Sequence, residues 1–167
     1  GDWPIQEDGY FADPTFGVFA LADGFGGPGA GDLAAKNAIL GIKNDLKKME
    51  SIREGGIYSP VEAFQREIFG ELNKKILDLN QKKTPRERGG CSLIFASLDQ
   101  NRLLTVTSCG SCSAILWRAG IFFPILSPQS EPRKSSEAAL FPSQALGIGR
   151  ELNPESRSFS CLSGDIL

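Results

Sequence analysis

Residues Phe19-Ala20-Leu21-Ala22-Asp23-Gly24-Phe25-Gly26-Gly27 decide how the rest of the chain is read. Gly17 to Ala22 is a compact apolar run bounded by Pro14 and Asp23, which predicts a buried strand. That strand feeds directly into an aspartate and then into glycines, and from Gly31 the pattern turns helical. An aspartate at the end of a buried strand is fixed in place by the sheet. Glycines after it let the backbone turn sharply and approach a ligand closely. Asp23 and the Gly24 carbonyl could thus be offered together to a hard divalent cation such as Mg²⁺ or Mn²⁺. The competing reading is a plain strand-to-helix turn in which Asp23 bonds its own backbone.

Outward from this stretch, helical spacing continues through Ala35, Ile39, Ile42, Leu46 and Met49, with Gly55-Gly56 as its break. A second helix is expected from Ser59-Pro60, a cap followed by proline at the first helical position. Val61, Phe64, Ile68, Leu72, Ile76 and Leu79 mark its apolar face. The charged stretch Gln81 to Arg88 reads as a solvated loop. The period then changes to strands over Ser92–Leu98, Leu103–Ser108, Ala114–Arg118 and Ile121–Leu126, an antiparallel meander. Ser127 to Ser143 reads as a mobile loop, and Ser156 to Leu162 as one more strand. Helices followed by a run of strands imply an α+β domain.

Composition narrows the chemistry. At 167 residues the chain is one domain with room for a substantial core. A net charge of −2 offers no case for nucleic acid or an anionic membrane surface. No apolar run reaches membrane-spanning length, and four cysteines read as reduced thiols of a cytoplasmic protein. There is no histidine, which removes Ser-His-Asp and Cys-His catalysis and every His-ligated zinc site. Hydrolysis near neutral pH would then call for a metal ion held by carboxylates.

Two rival motifs are weaker. Gly24-Phe25-Gly26-Gly27-Pro28-Gly29 fits the Gly-x-Gly-x-x-Gly dinucleotide pattern, but the next element is a second helix and not a returning parallel strand. Cys109-Gly110-Ser111-Cys112 is a formal Cys-x-x-Cys. Strand pattern lies on both sides of it, whereas redox pairs open a helix, so small buried residues at a tight turn are the better account.

The segment around Asp23 resembles the Ala-Asp-Gly-Met-Gly-Gly signature of the metal-dependent protein serine/threonine phosphatases, the protein phosphatase 2C type, including its bacterial sporulation-phosphatase branch. Gln6-Glu7-Asp8 is similar to the family's early Asn-Glu-Asp. Gly89-Gly90-Cys91-Ser92 is similar to its Gly-Gly-Thr-Thr strand, and Cys109 to Ser113 sits where the family has Gly-Asp-Ser-Arg. Ala145-Leu146-Gly147 and Ser163-Gly164-Asp165-Ile166-Leu167 resemble two later landmarks. The resemblance implies two packed antiparallel sheets flanked by helices, a four-layer αββα sandwich, with the last strands beyond Leu167. It makes residues 1–167 a single phosphatase-like domain, incomplete at its C-terminal end.

Carried over position by position, the resemblance makes Asp23 the aspartate that bridges two Mn²⁺ or Mg²⁺ ions. Gly24 lends its backbone carbonyl to one ion, Asp8 is the early acid nearest the metals, and its neighbour Glu7 joins the metal site directly or through metal-bound waters. The implied reaction is hydrolysis of phosphoserine or phosphothreonine in a phosphoprotein by a monomeric, cytoplasmic enzyme, with no nucleic acid or membrane involved. Two positions depart from the family pattern. Trp3 stands where an arginine holds the substrate phosphate, and Ser111 stands where an aspartate binds a third metal. The family's Ser-Asp-Gly and Asn-Asp elements would follow Leu167. The alternative implied by these departures is a catalytically degenerate module that binds a phosphoprotein or regulatory partner.

Overall fold

The computed structural model describes residues 6–54, 61–132 and 140–167. Along the chain come β1 (Asp8–Asp13), β2 (Val18–Gly26), α1 (Ala30–Glu54), α2 (Val61–Asn80), β3 (Gly89–Leu98) and β4 (Leu103–Cys109). They are followed by β5 (Ala114–Arg118), β6 (Ile121–Leu126), β7 (Ser130–Pro132), β8 (Leu140–Pro142) and β9 (Glu155–Ser160). A five-stranded sheet has the order β1-β2-β3-β4-β9, and every neighbouring pair in it is antiparallel. β5 and β6 pair into a separate ribbon, as do β7 and β8. No helix among the described residues is long and apolar enough to cross a membrane.

The core follows from two periodicities. Val18, Ala20 and Ala22 alternate inward along β2, and Leu93 and Phe95 do so along β3. Against that face lie Ala35, Ile39 and Ile42 of α1 and Phe64, Ile68, Phe69, Leu72 and Ile76 of α2. The opposite face, with Ile94, Ala96, Leu104 and Val106, packs on Ala114 and Leu126 of the ribbon. Helices, sheet and ribbon therefore stack in layers, the α+β architecture of antiparallel sheets flanked by helices that the sequence implies. Because the whole sheet is antiparallel, the dinucleotide-binding alternative, which needs a parallel βαβ unit, is excluded.

Polar residues fasten α2 to the sheet. Gln65 is fully buried in the apolar stripe; its Nε2 donates to Ser97 Oγ (3.0 Å) and to the Thr105 carbonyl (3.3 Å). Thr107 Oγ1 donates to Gln65 Oε1 at 2.5 Å. Since the Thr107 hydroxyl has one proton, its 2.8 Å contact to Ser156 Oγ must be donated by Ser156. The apolar periodicity alone gave no warning of this seam.

Several sequence expectations shift. Asp23 lies inside β2 and not at its end, because the strand runs on through Gly24 and Gly26, which pair with Cys91 and Gly89. The turn falls later, where the Ala30 N–H donates to the Gly27 carbonyl at 2.8 Å. β1 begins at Asp8, so Glu7 and Asp8 stand at the entry of a strand. The meander is broken at Gly110, whose φ of 108° redirects the chain, so β4 neighbours β9 and β5 leaves for the ribbon. The 127–143 loop holds β7 and β8. Leu79 is 39% exposed and lies off the buried face of α2, where Asn80 is buried instead. Trp3, Gly55-Gly56 and Ser59-Pro60 lie outside the described residues.

Candidate functional site

The β1–β2 register places Asp8 directly opposite Asp23. Side chains so placed have Cβ atoms about 4.5–5.5 Å apart and lie on one face of the sheet. The face is the one opposite the helices, since Asp23 continues the Phe19, Leu21 alternation. The Gly24 N–H donates to the Glu7 carbonyl at 3.1 Å and closes the ladder beneath the pair. A strand residue's N–H and C=O point to the same side, so the Gly24 carbonyl is aimed at the β1 edge as well. Gln6 Nε2 donates to Asp8 Oδ2 at 2.8 Å.

Electrostatics make this pair unusual. Partial burial raises the Asp23 carboxyl above the ordinary aspartate range, and the adjacent Asp8 charge and a hydrogen bond shared with Asp8 raise it further. A hydrogen bond from Ser111 works the other way. Ser111 is itself anchored. Its N–H donates to Ser92 Oγ at 3.0 Å, and the two hydroxyls are 2.9 Å apart. With the Ser111 proton on Asp23, Ser92 must donate to Ser111, giving a relay Ser92→Ser111→Asp23. Among the described residues no lysine or arginine forms an ion pair with Asp8 or Asp23. Two acids held together without a counter-charge gain most from a cation between them.

Glu7 is directed elsewhere. A Cβ built on Gly31 would lie 2.9 Å from the Glu7 carboxyl carbon, so this side chain runs to the first turn of α1, on the other face from Asp8. Gly24 and Gly31 cross so closely that a Cβ on Gly24 would sit 2.2 Å from the Gly31 carbonyl oxygen. Only glycine allows the helix to start this near the acid-bearing strands. Among the described residues, no group of three or more His, Cys, Asp or Glu side chains is arranged to hold a metal ion. Asp8 and Asp23 thus fit a hard cation as two oxygen-donating side chains of a shell.

The cysteines do not compete for this role. All four are free. Burial pushes the Cys109 thiol up to about 12 and the Cys112 thiol up to about 11, and burial raises Cys91 too. Protonated thiols are poor metal ligands and poor nucleophiles at neutral pH. Sequence reasoning missed Ser92 and the Ser111–Asp23 contact, because their adjacency comes from pairing β2 with β3, 60-odd residues apart in sequence.

Comparison with known proteins agrees with the fold. No protein-family model matches the chain. It is 29% identical over 132 residues to a probable protein phosphatase 2C 2 from Arabidopsis thaliana, covering 75% of this chain and 30% of that protein. The chain therefore spans about a third of the length of that relative. Among solved structures, the serine/threonine phosphatase PstP/Ppp of Mycobacterium tuberculosis superposes with a TM-score of 0.76 at 20% identity, over 98% of this chain and 70% of that one. PppA, described as a key regulatory component of the type VI secretion system (T6SS) in Pseudomonas aeruginosa, superposes with a TM-score of 0.74 at 18% identity, over 97% and 68%. In sequence the chain is similar to a protein phosphatase of the 2C type, and its fold is that of the bacterial PPM serine/threonine phosphatases.

Proposed function

We propose that this chain carries part of the active site of a Mn²⁺- or Mg²⁺-dependent protein phosphatase acting on phosphoserine and phosphothreonine. The observation that carries this reading is the register pairing of Asp8 with Asp23, without a counter-charge, in a fold shared with serine/threonine phosphatases. Asp8, Asp23 and the Gly24 carbonyl are the groups that would hold the cations. A divalent cation held there lowers the pKa of its water and stabilises charge developing on a phosphoryl oxygen. Asp23 must be ionised for this. The Ser111 hydrogen bond favours that form and fixes the carboxylate's orientation. The Glu7 side chain faces the first turn of α1, so any part it takes in holding the cations would run through bound water.

A second reading has its own support: a phosphatase-fold module that binds a phosphoprotein or regulatory partner without hydrolysis. It is favoured by the two-acid set and by Ser111 at the position of a family metal ligand. Hydrolysis of p-nitrophenyl phosphate by the complete protein separates the two. On the first reading turnover requires added Mn²⁺ or Mg²⁺, EDTA abolishes it, and Asp23→Asn lowers it by about two orders of magnitude. Metal-independent turnover, or an Asp23→Asn variant as fast as the parent, overturns it.

A further inference from the structure

Beyond the acid pair, a second chemically distinct feature lies at the same end of the sheet. A cleft of about 440 Å³ is walled by Phe25, Leu77, Gly90, Ile148 and two cations, Arg88 and Arg150. Phe25 stands two strand residues from Asp23, about 7 Å along β2, and side chains two apart share a face. Phe25 thus joins the cleft to the strand that bears Asp23, while Leu77 and Asn80 of α2 close it from the helix side.

Its charged lining residues are both cations, in a chain of net charge −2, and the loop that leads into it is basic. Lys82, Lys83, Arg86 and Arg88 fall within the seven residues before β3, with Glu87 as the one acid among them. Glu87 is used up internally. Its Oε2 accepts from Thr84 Oγ1 at 2.7 Å and from the Thr84 N–H at 3.0 Å, which holds its carboxylate below the usual range. Asp78 accepts from Gln81 Nε2 at 2.9 Å, and Glu151, the exposed acid that follows Arg150 in sequence, forms no ion pair among the described residues. Among the described residues neither Arg88 nor Arg150 belongs to an ion pair.

The wall is also built rather than draped. The Gly27 N–H donates to the Arg88 carbonyl at 3.1 Å, seating the basic loop on the segment that leaves Asp23. Asn80 Nδ2 donates to the Gly89 carbonyl at 2.7 Å, and the Gly147 N–H donates to Asn73 Oδ1 at 2.8 Å. These side chains of α2 fix both lips of the cleft to one helix.

We infer that the Arg88–Arg150 cleft is a docking subsite for an acidic peptide segment, the residues flanking the phosphorylated side chain of the substrate. The inference rests on the phosphatase reading for the identity of that peptide, and on charge complementarity for the docking itself. The uncompensated Asp8–Asp23 pair repels acidic flanks, and the cleft at the same end of β2 offers them two arginines. The cleft thus sets sequence preference, a role separate from the acid pair.

Fluorescence anisotropy in metal-free buffer tests this with two labelled peptides, one with four Glu or Asp around a serine and one with Gln and Asn instead. At low salt the acidic peptide is expected to bind about ten-fold tighter. Arg88→Gln with Arg150→Gln should erase the preference, as should 0.5 M salt. Either single variant keeps a surface side chain of similar size and should retain the parent's circular dichroism. Equal binding of the two peptides, or a preference that survives both substitutions, overturns the docking subsite. So does tighter binding of a single-stranded oligonucleotide of equal charge, which would mark a general polyanion surface. Hydrolysis of p-nitrophenyl phosphate, which has no flanks, reads the phosphatase proposal separately. In the complete, metal-loaded protein, hydrolysis without peptide preference defeats the cleft alone, and peptide preference without hydrolysis defeats the phosphatase reading while the acidic-peptide subsite stands.

Discussion

Asp8 and Asp23 are cross-strand partners, and the proximity of Asp8 is one reason the Asp23 carboxyl holds its proton more tightly than a free aspartate. A carboxyl whose folded-state pKa lies above its unfolded value contributes stability that is fully present below the unfolded pKa. That contribution is lost as pH rises through the folded pKa. At neutral pH, without metal, Asp23 is therefore a burden on the fold. Asp23→Asn should raise the melting temperature at pH 7 by about 2 °C. The gain should vanish below pH 3.8, the ordinary aspartate value. Circular dichroism melts at both pH values check the sign.

Cations should reverse that burden. Mn²⁺ at about 100 times its Kd should stabilise the parent by about 2.7 kcal/mol. Asp8→Asn and Asp23→Asn should each lose most of this increment, whereas Glu7→Gln, on the other face, should keep more of it. Calorimetric titration with Mn²⁺ reads the same comparison without any substrate. Equal Mn²⁺ affinity in the parent and in both aspartate variants would sink the assignment.

The seam between α2 and the sheet is where stability is most sensitive to a single polar side chain. Gln65→Leu keeps the volume roughly the same but strands the Ser97 and Thr107 hydroxyls and the Thr105 carbonyl in a dry interior. The expected loss is about 1–3 kcal/mol in urea unfolding. Glu62→Gln, at the exposed end of the same helix, should change stability far less, because its bond from Ser158 Oγ is open to water.

Arg118 and Asp165 clasp the ribbon to the segment after β9. Arg118 Nε and Nη2 donate to the two Asp165 oxygens at 2.8 and 2.6 Å, and the Leu162 N–H adds a third bond at 2.7 Å. These donors, the Arg118 guanidinium foremost, hold the Asp165 carboxyl down to about 2. A depressed carboxyl contributes stability that is present above its unfolded pKa and lost as pH falls through its folded one. Asp165→Asn should therefore destabilise at pH 7 and match the parent near pH 2. Because Ile166 pairs with Trp117 on the edge of β5, the variant should also loosen that bridge, read as faster amide exchange at Trp117.

Local sequence determined much of this protein. The inward alternation of Val18, Ala20 and Ala22, the helical spacing of Ala35, Ile39 and Ile42, and the limits of Ala114–Arg118 and Ile121–Leu126 are written in patterns a few residues long. The similarity of Gln6-Glu7-Asp8 and Asp23-Gly24 to a phosphatase signature also lay in the sequence, because chemistry fixes residue type at those positions. What tertiary structure decided is everything that depends on pairing. Only the β1–β2 register could put Asp8 across from Asp23 and turn Glu7 to the other face, since a slip of one residue would exchange them. Ser111 reaches Asp23 only because Gly110 takes a left-handed conformation beside Ser92, and Gln65 finds Ser97 and Thr107 only when α2 is laid on the sheet. Propensity acts between neighbours in sequence, whereas pKa shifts, buried hydrogen bonds and shared sites act between neighbours in space.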